Sequence, residues 1–190
     1  MFSTKEYLDK KTGPYGIGRL SYLQALVNEF QETKSESAKE EVLANLANFS
    51  YDPINYDFLR RLGVIDLFLD NLTENNTKLV QFAAGGICNI CLDKENKEYI
   101  LKNDGVHLLK QCLVSDDEDT VMSAITSLMY LVTPQSKPEI TSPPVVAHMT
   151  QLSTSPDKRI SNLATVFLQD YCSEEQRTEG REAIGLTGHG

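Results

Sequence analysis

The strongest constraint on the fold of this chain is a pattern of residue types that returns every 41 residues. Residues 46–49, 87–90 and 128–131 align at this spacing, and a degenerate copy follows with Leu168 and Tyr171 about one period later. A repeat of this length marks modules that stack in one direction, because no single module can bury its own apolar face. The pattern therefore predicts a stack of similar modules rather than a closed bundle.

Each module has the periodicity of helices. Apolar residues recur at intervals of three and four, as at Val80, Ala83 and Ile87, and this spacing lines one face of an α-helix. A period near 40 that is built from helices indicates an armadillo or HEAT array. Gly63 and Gly105, which open the first helix of their modules, favour the armadillo type. We predict an all-α fold, an armadillo-type right-handed superhelical solenoid of about four repeats.

The chain is predicted to have three segments. Residues 18–172 carry the repeats and form the armadillo repeat domain, with an incomplete module at its start. Residues 1–17 are expected to be an N-terminal extension. Residues 173–190 are polar and rich in glycine, and we expect them to form a polar C-terminal tail.

The charge of the chain favours a protein partner over a nucleic acid. Its formal net charge is −9, and its basic pairs are isolated from one another in the sequence. Affinity for RNA or DNA comes largely from clustered lysine and arginine. Contact with RNA is therefore expected to be indirect or minor, and a basic protein or peptide suits the charge better.

The sequence also constrains the cellular compartment. Its 4 cysteines are too few for a disulfide framework and fit a reducing compartment, the cytoplasm or the nucleus. No apolar run approaches the length of a membrane span, and the first residues lack the apolar segment of a secretory signal. We therefore expect no membrane association.

One polar position repeats among the apolar residues of the predicted long helices. Asn48 and Asn89 occupy it in consecutive modules. An amide both donates and accepts hydrogen bonds, so a row of amides can pair with the backbone of an extended bound chain. The alternative is that each asparagine bonds only to nearby backbone. Our hypothesis is a partner-binding groove lined by Asn45, Asn48, Asp52, Asn89, Asp93 and Tyr130.

The sequence contains no pattern that indicates catalysis. Cys88 and Cys91 have the spacing of half a zinc site, but no other cysteine or histidine follows at a recognisable interval. Both cysteines lie in an apolar stripe, where a thiol packs as a small apolar group. We predict that the chain is not an enzyme and has no catalytic residue, metal site, cofactor or small-molecule substrate.

Seven runs of residues match one group of armadillo repeat proteins more closely than armadillo repeats in general: 18–27, 29–33, 42–49, 67–70, 96–98, 123–126 and 162–164. Over about residues 18–172 the chain resembles a family of small nuclear proteins of the minor spliceosome. The resemblance implies a nuclear protein-binding scaffold in pre-mRNA splicing. It implies an RNA-recognition-motif (RRM) protein and spliceosomal proteins as partners, at the capped end of a minor-class small nuclear RNA.

Two other functions remain open at the level of sequence. A general armadillo adaptor in transport or adhesion complexes would use the same stack of modules, and its co-purifying proteins would distinguish it from a splicing factor. Direct RNA binding would need a basic surface patch, which the sequence does not indicate.

Overall fold

The structure describes one part of the chain, residues 2–12 and 16–185, and most of these residues lie in helices. In this computed structural model, that part contains no strand, which confirms the predicted all-α class. A short 3₁₀ helix, Pro53–Asn55, precedes the fourth α-helix. The α-helices of the described part are α1 Lys5–Thr12, α2 Arg19–Glu32, α3 Glu36–Phe49, α4 Tyr56–Arg61, α5 Val64–Asn71, α6 Thr77–Ile90, α7 Lys94–Lys102, α8 Gly105–Cys112, α9 Glu118–Tyr130, α10 Lys137–Ile140, α11 Pro143–Leu152, α12 Lys158–Tyr171 and α13 Glu174–Ala183.

The chain divides into two compact units, Met1–Asn103 and Asp104–Gly190, which we call the first unit and the second unit. In the first unit the long helices α3 and α6 pack against each other, while α2 packs on α3 and α5 packs on α6. Leu43 and Leu46 of α3 and Ile87 of α6 are fully buried. The apolar stripes that the sequence predicted therefore face a shared core.

Two adjacent glycines of α6 have opposite surroundings. A Cβ atom at Gly86 would lie 2.4 Å from the ring of Phe68 in α5, so only a residue without a side chain allows this close approach. A Cβ atom at Gly85 would meet nothing within 4 Å. Gly86 is therefore required by packing, whereas Gly85 leaves an open position on α6.

The four long helices, α3, α6, α9 and α12, each begin with a side-chain cap at a near-constant interval along the chain. Each cap accepts a hydrogen bond from a backbone N–H of the first turn, which would otherwise lack a partner within the helix. The capping residues are Ser35, Asn76, Asp117 and Asp157. The helix caps therefore recur once in each module, as the apolar residues do.

In the second unit the long helices α9 and α12 pack together, with α8 on α9 and α11 on α12. The unit also contains α13, which packs on α11 although it lies in the predicted polar tail. Ser173 and Gln176 form a capping box at its start, and Gly180 fits close to Thr150. Similarly, α1 lies in the predicted N-terminal extension. The three segment boundaries stay predictions, and residues 1, 13–15 and 186–190 lie outside the described part.

Candidate protein-binding site

Asn48 and Asn45 lie near the C-terminal end of α3, three residues apart and therefore close together on the helix surface. Asn48 is exposed and Asn45 is half-buried. The side-chain amide of Asn48 makes no hydrogen bond to another residue of the described part. Its donors and its acceptor are therefore available to a bound chain.

Asn89 is half-buried in α6, and its side chain is already used within the first unit. Its Nδ2 donates to the carbonyl oxygen of Ala47 in α3 at 3.1 Å. The hydroxyl of Tyr56 donates to the carbonyl oxygen of Asn89 at 2.9 Å. Asn89 therefore joins two successive long helices, and only the rest of its amide can serve a partner.

Asp52 and Asp93 are each the N-cap residue of the short helix that follows a long helix. Asp52 accepts from the backbone N–H of Ile54 at 3.4 Å and from the backbone N–H of Ser3 at 2.9 Å. Burial raises the pKa of Asp52, but the hydrogen bonds from Ser3 and Ile54 and the charge of Arg19 outweigh it. The net pKa of Asp52 lies below its ordinary value, so the carboxylate is charged at neutral pH.

Asp93 caps α7 through the backbone N–H groups of Glu95 and Asn96, both at 3.1 Å. It also accepts from Nη1 of Arg60 in α4 at 2.7 Å. Such charge-assisted hydrogen bonds are stronger than neutral ones, and they fix the start of α7.

Tyr130 belongs to the second unit, where it is the last residue of α9 and is 40% exposed. Tyrosine is one of the residue types that are enriched at interface hot spots. The other five predicted groove residues lie in the first unit. They are on α3, on α6 and at the starts of the short helices that follow these two. Their role in binding stays a prediction.

Asn55 and Asn96 are also one period apart, but the sequence alone assigns them no role. Both are buried, and each donates its Nδ2 hydrogen to a carbonyl oxygen at the end of the preceding long helix. Asn55 donates to Phe49 at 2.8 Å and Asn96 donates to Ile90 at 3.0 Å. In the second unit the hydroxyl of Ser136 donates to the carbonyl oxygen of Leu131 at 2.8 Å. These side chains satisfy carbonyl groups that a helix end leaves without partners.

Aromatic and basic side chains lie beside α3 in the first unit. The guanidinium carbon of Arg19 is 4.7 Å from the ring centroid of Phe49, and the ring of Tyr22 meets Phe49 edge-on at 5.6 Å. A groove of about 560 Å³ runs between α1, Arg19, Ile54 and the start of α4. This surface therefore presents both basic and apolar side chains.

The chemistry of the remaining groups is consistent with packing. Within residues 2–12 and 16–185, no three histidine, cysteine or acidic side chains are grouped so that they could hold a metal ion. Cys91 is buried, and its Sγ contacts the carbonyl oxygen of Cys88 at 3.5 Å. Burial raises the pKa of Cys112 to about 11, which keeps that thiol protonated. Among the described helices, none combines the length and apolarity needed to span a membrane.

Comparison with known proteins connects this architecture to a family. Armadillo repeat-containing protein 7 of Mus musculus is 58% identical to the chain over 165 residues, which are 86% of this chain and 83% of that protein. No protein-family model matches the chain.

Solved structures of low sequence identity share the fold. The designed armadillo repeat protein YIII(Dq)4CqI matches with a TM-score of 0.72 at 14% identity, over 86% of this chain and 71% of its own. A second designed armadillo repeat protein, solved in complex with the peptide (KR)4, gives 0.69 at 14% identity over 88% and 82%. The armadillo repeats only protein of Plasmodium falciparum gives 0.67 at 16% identity over 78% and 68%. The predicted armadillo-type fold is confirmed.

Proposed function

Since the chain belongs to the armadillo repeat-containing protein 7 family, we propose that it is a non-catalytic scaffold that binds proteins in the minor spliceosome. Family membership supports a repeat-based scaffold for protein binding. The assignment to the minor spliceosome and to the nucleus comes from the resemblance of residues 18–172, and it is the part of the proposal that experiment must decide.

The proposed partner is an RRM protein, which together with this chain would sit at the capped end of a minor-class small nuclear RNA. The net charge of −9 supports this division of roles, because an acidic chain is repelled by phosphates while a partner with an RNA-binding domain is not. The chain would hold the partner, and the partner would contact the RNA.

The observation that carries the proposal is the exposed amide of Asn48 on α3. A protein chain lying across this helix offers backbone N–H and C=O groups, and an amide can pair with both at once. The half-buried Asn45 lies beside Asn48, and the remaining hydrogen-bonding groups of Asn89 lie on α6, which packs on α3. The contact surface therefore begins on α3 and extends onto α6.

The experiment is affinity purification of the tagged chain from nuclear extract, with identification of the proteins and small RNAs that it retains. The proposal predicts enrichment of minor-class small nuclear RNA and an RRM protein. Asn48→Ala should reduce both, whereas Asn75→Ala, which removes an exposed amide from the loop before α6, should not. Enrichment of transport or adhesion factors in place of splicing factors would contradict the proposal.

A separate experiment tests the role of RNA. A gel shift with the isolated chain and a capped minor-class small nuclear RNA should show no salt-dependent complex, because the basic pairs of the sequence are isolated from one another. Addition of the co-purified RRM protein should produce the complex. Tight binding by the isolated chain would assign RNA contact to this chain instead.

A further inference from the structure

Arg60 shows how a guanidinium group is bound where one module meets the next in the first unit. Its Nη1 donates to Oδ1 of Asp93 at 2.7 Å and to Oδ1 of Asn96 at 2.8 Å. The amide of Asn96 is held in place because its Nδ2 donates to the carbonyl oxygen of Ile90. We call these three side chains the Arg60 cluster.

The same two acceptor types occur one module earlier, at Asp52 and Asn55, which we call the Asp52–Asn55 pair. Asn55 donates its Nδ2 hydrogen to the carbonyl oxygen of Phe49, as Asn96 does to Ile90. The Nδ2 bond of Asn55 therefore corresponds to the one that holds Asn96 in the Arg60 cluster. Asn55 is only 2% exposed, and no donor in the described part of the chain reaches its Oδ1.

The N-terminal segment supplies donors to this pair through Ser3. The backbone N–H of Ser3 donates to Oδ2 of Asp52 at 2.9 Å, and the ring of Phe2 lies 5.6 Å from the ring of Tyr51. Asp52 also accepts from the side chain of Ser3 and from the backbone N–H of Ile54, whereas the buried amide oxygen of the pair has no donor in the described residues. The pair is therefore satisfied only at its carboxylate.

Arg19 of the same chain precedes Arg60 by one period of the repeat. The guanidinium group of Arg19 lies over the ring of Phe49, and no hydrogen bond joins it to Asp52 or Asn55 in the described residues. Arg19 also lines the groove of about 560 Å³, together with Ile54 beside the pair. The groove gives a second long side chain room to approach.

We propose that the Asp52–Asn55 pair binds the guanidinium group of an arginine in the partner protein, and that the segment containing Ser3 competes with it. Guanidinium is planar and presents several N–H donors in a fixed arrangement, so one group can serve both the carboxylate and the buried amide oxygen. An ammonium group is a point charge and matches this geometry less well. The inference rests on the proposed protein-binding function and specifies one anchor of the bound protein.

The subsite can be tested without the partner by nuclear magnetic resonance on the full-length 15N-labelled chain. The probe is the peptide acetyl-Gly-Arg-Gly-amide, and the readout is the side-chain amide signal of Asn55. The arginine peptide should shift this signal in a saturable manner. Matched peptides with lysine or citrulline should bind with an affinity at least about tenfold lower. Lysine lacks the planar arrangement of donors, and citrulline lacks the positive charge.

Variants at three positions distinguish the subsite from general attraction between opposite charges. Asp52→Asn keeps an acceptor for the Ile54 cap but removes the charge, so it should weaken binding of the arginine peptide about tenfold. Asp70→Asn removes an exposed charge from α5 and should leave the affinity unchanged. Ser3→Pro removes the competing N–H and should strengthen binding about threefold relative to Ser3→Ala, which retains it.

The Arg19→Gln variant tests whether the Asp52–Asn55 pair binds an arginine of the partner or the chain's own Arg19. If the site belongs to a partner, the peptide binds this variant with an unchanged affinity. If Arg19 itself fills the site in solution, the Asn55 signal shifts in Arg19→Gln before any peptide is added, and this result overturns the proposal. Absence of saturable binding to both wild type and Ser3→Pro, or equal binding of the lysine peptide, also overturns it. Either failure leaves the purification experiment with Asn48→Ala as an independent test of the proposed function.

Discussion

Two pairs of asparagines repeat at the same interval in the first unit, and the structure gives them opposite surroundings. Asn55 and Asn96 are buried between helices, where their amides satisfy carbonyl groups at helix ends. Asn48 is exposed on α3, and its counterpart Asn89 is half-buried and bonded to Ala47. The first pair therefore closes helix ends within the modules, with only the Oδ1 of Asn55 left without a donor in the described residues. The second pair lies at least partly on the surface that a partner can reach.

The difference shows that repetition alone does not identify a binding site. A polar residue recurs when each module needs it for packing, and it also recurs when each module contacts the same ligand. Burial and hydrogen-bond partners separate the two causes. By that criterion Asn48 is a binding candidate, Asn96 is a packing residue, and Asn89 has features of both.

The largest effect is expected at the buried pair. Asn96→Ala leaves the carbonyl of Ile90 and part of the Arg60 guanidinium without partners, and we expect a loss of about 3 kcal/mol in the free energy of unfolding. Asn55→Ala should cost about 1 to 2 kcal/mol, because its Oδ1 has no donor to lose within the described residues. Urea denaturation measures both values. Equal losses would contradict the distinction between the two sites.

The two glycines of α6 extend the comparison of buried and exposed positions. Gly86→Ala places a methyl group against the buried ring of Phe68 and should destabilise the chain by about 2 kcal/mol. Gly85→Ala meets nothing and should stabilise the helix by about 0.5 to 1 kcal/mol. Thermal unfolding of the two variants under identical conditions should shift the midpoint in opposite directions.

A smaller effect is expected from the titration of Asp52. Its pKa in the folded chain lies below the ordinary value of 3.8, so its hydrogen bonds stabilise the fold fully above that value. This contribution is lost as the pH falls through the folded pKa. Between pH 5 and pH 3, wild type should therefore lose slightly more stability than Asp52→Asn, as measured by urea denaturation at each pH. Parallel curves for the two proteins would show that Asp52 is not held in its charged form.

The sequence predicted the module and its helices because both depend on local periodicity. The 41-residue pattern and the intervals of three and four are visible without coordinates, and the armadillo-type fold that they predict is confirmed. The same interval separates Asn55 from Asn96. The spacing could not assign their role, because the hydrogen bonds of their side-chain amides lie within a turn whose geometry depends on packing.

Contacts between modules could not be predicted in the same way. Arg60 and Asn96 are far apart in sequence, and their bond depends on how one module sits on the next. The segment from residue 173 has few apolar residues, so periodicity indicated a tail. Two local signals favour a helix there: the Ser173 and Gln176 capping box and the small residue Gly180, which allows α13 to pack on α11.

The smallest effect on stability is expected for Asn48→Ala, within about 0.5 kcal/mol, since its side chain has no partner in the described part of the chain. This separation of stability from binding makes it a cleaner variant than Asn89→Ala, which also breaks the bond to Ala47.

Calorimetric titration of the proposed RRM partner into wild type and Asn48→Ala tests the central claim most directly. A partner that lies on the exposed face of α3 should bind the variant about tenfold more weakly, which corresponds to about 1.4 kcal/mol, while the midpoint of thermal unfolding stays the same. Equal affinity for the two proteins would place the partner elsewhere on the chain and contradict the account.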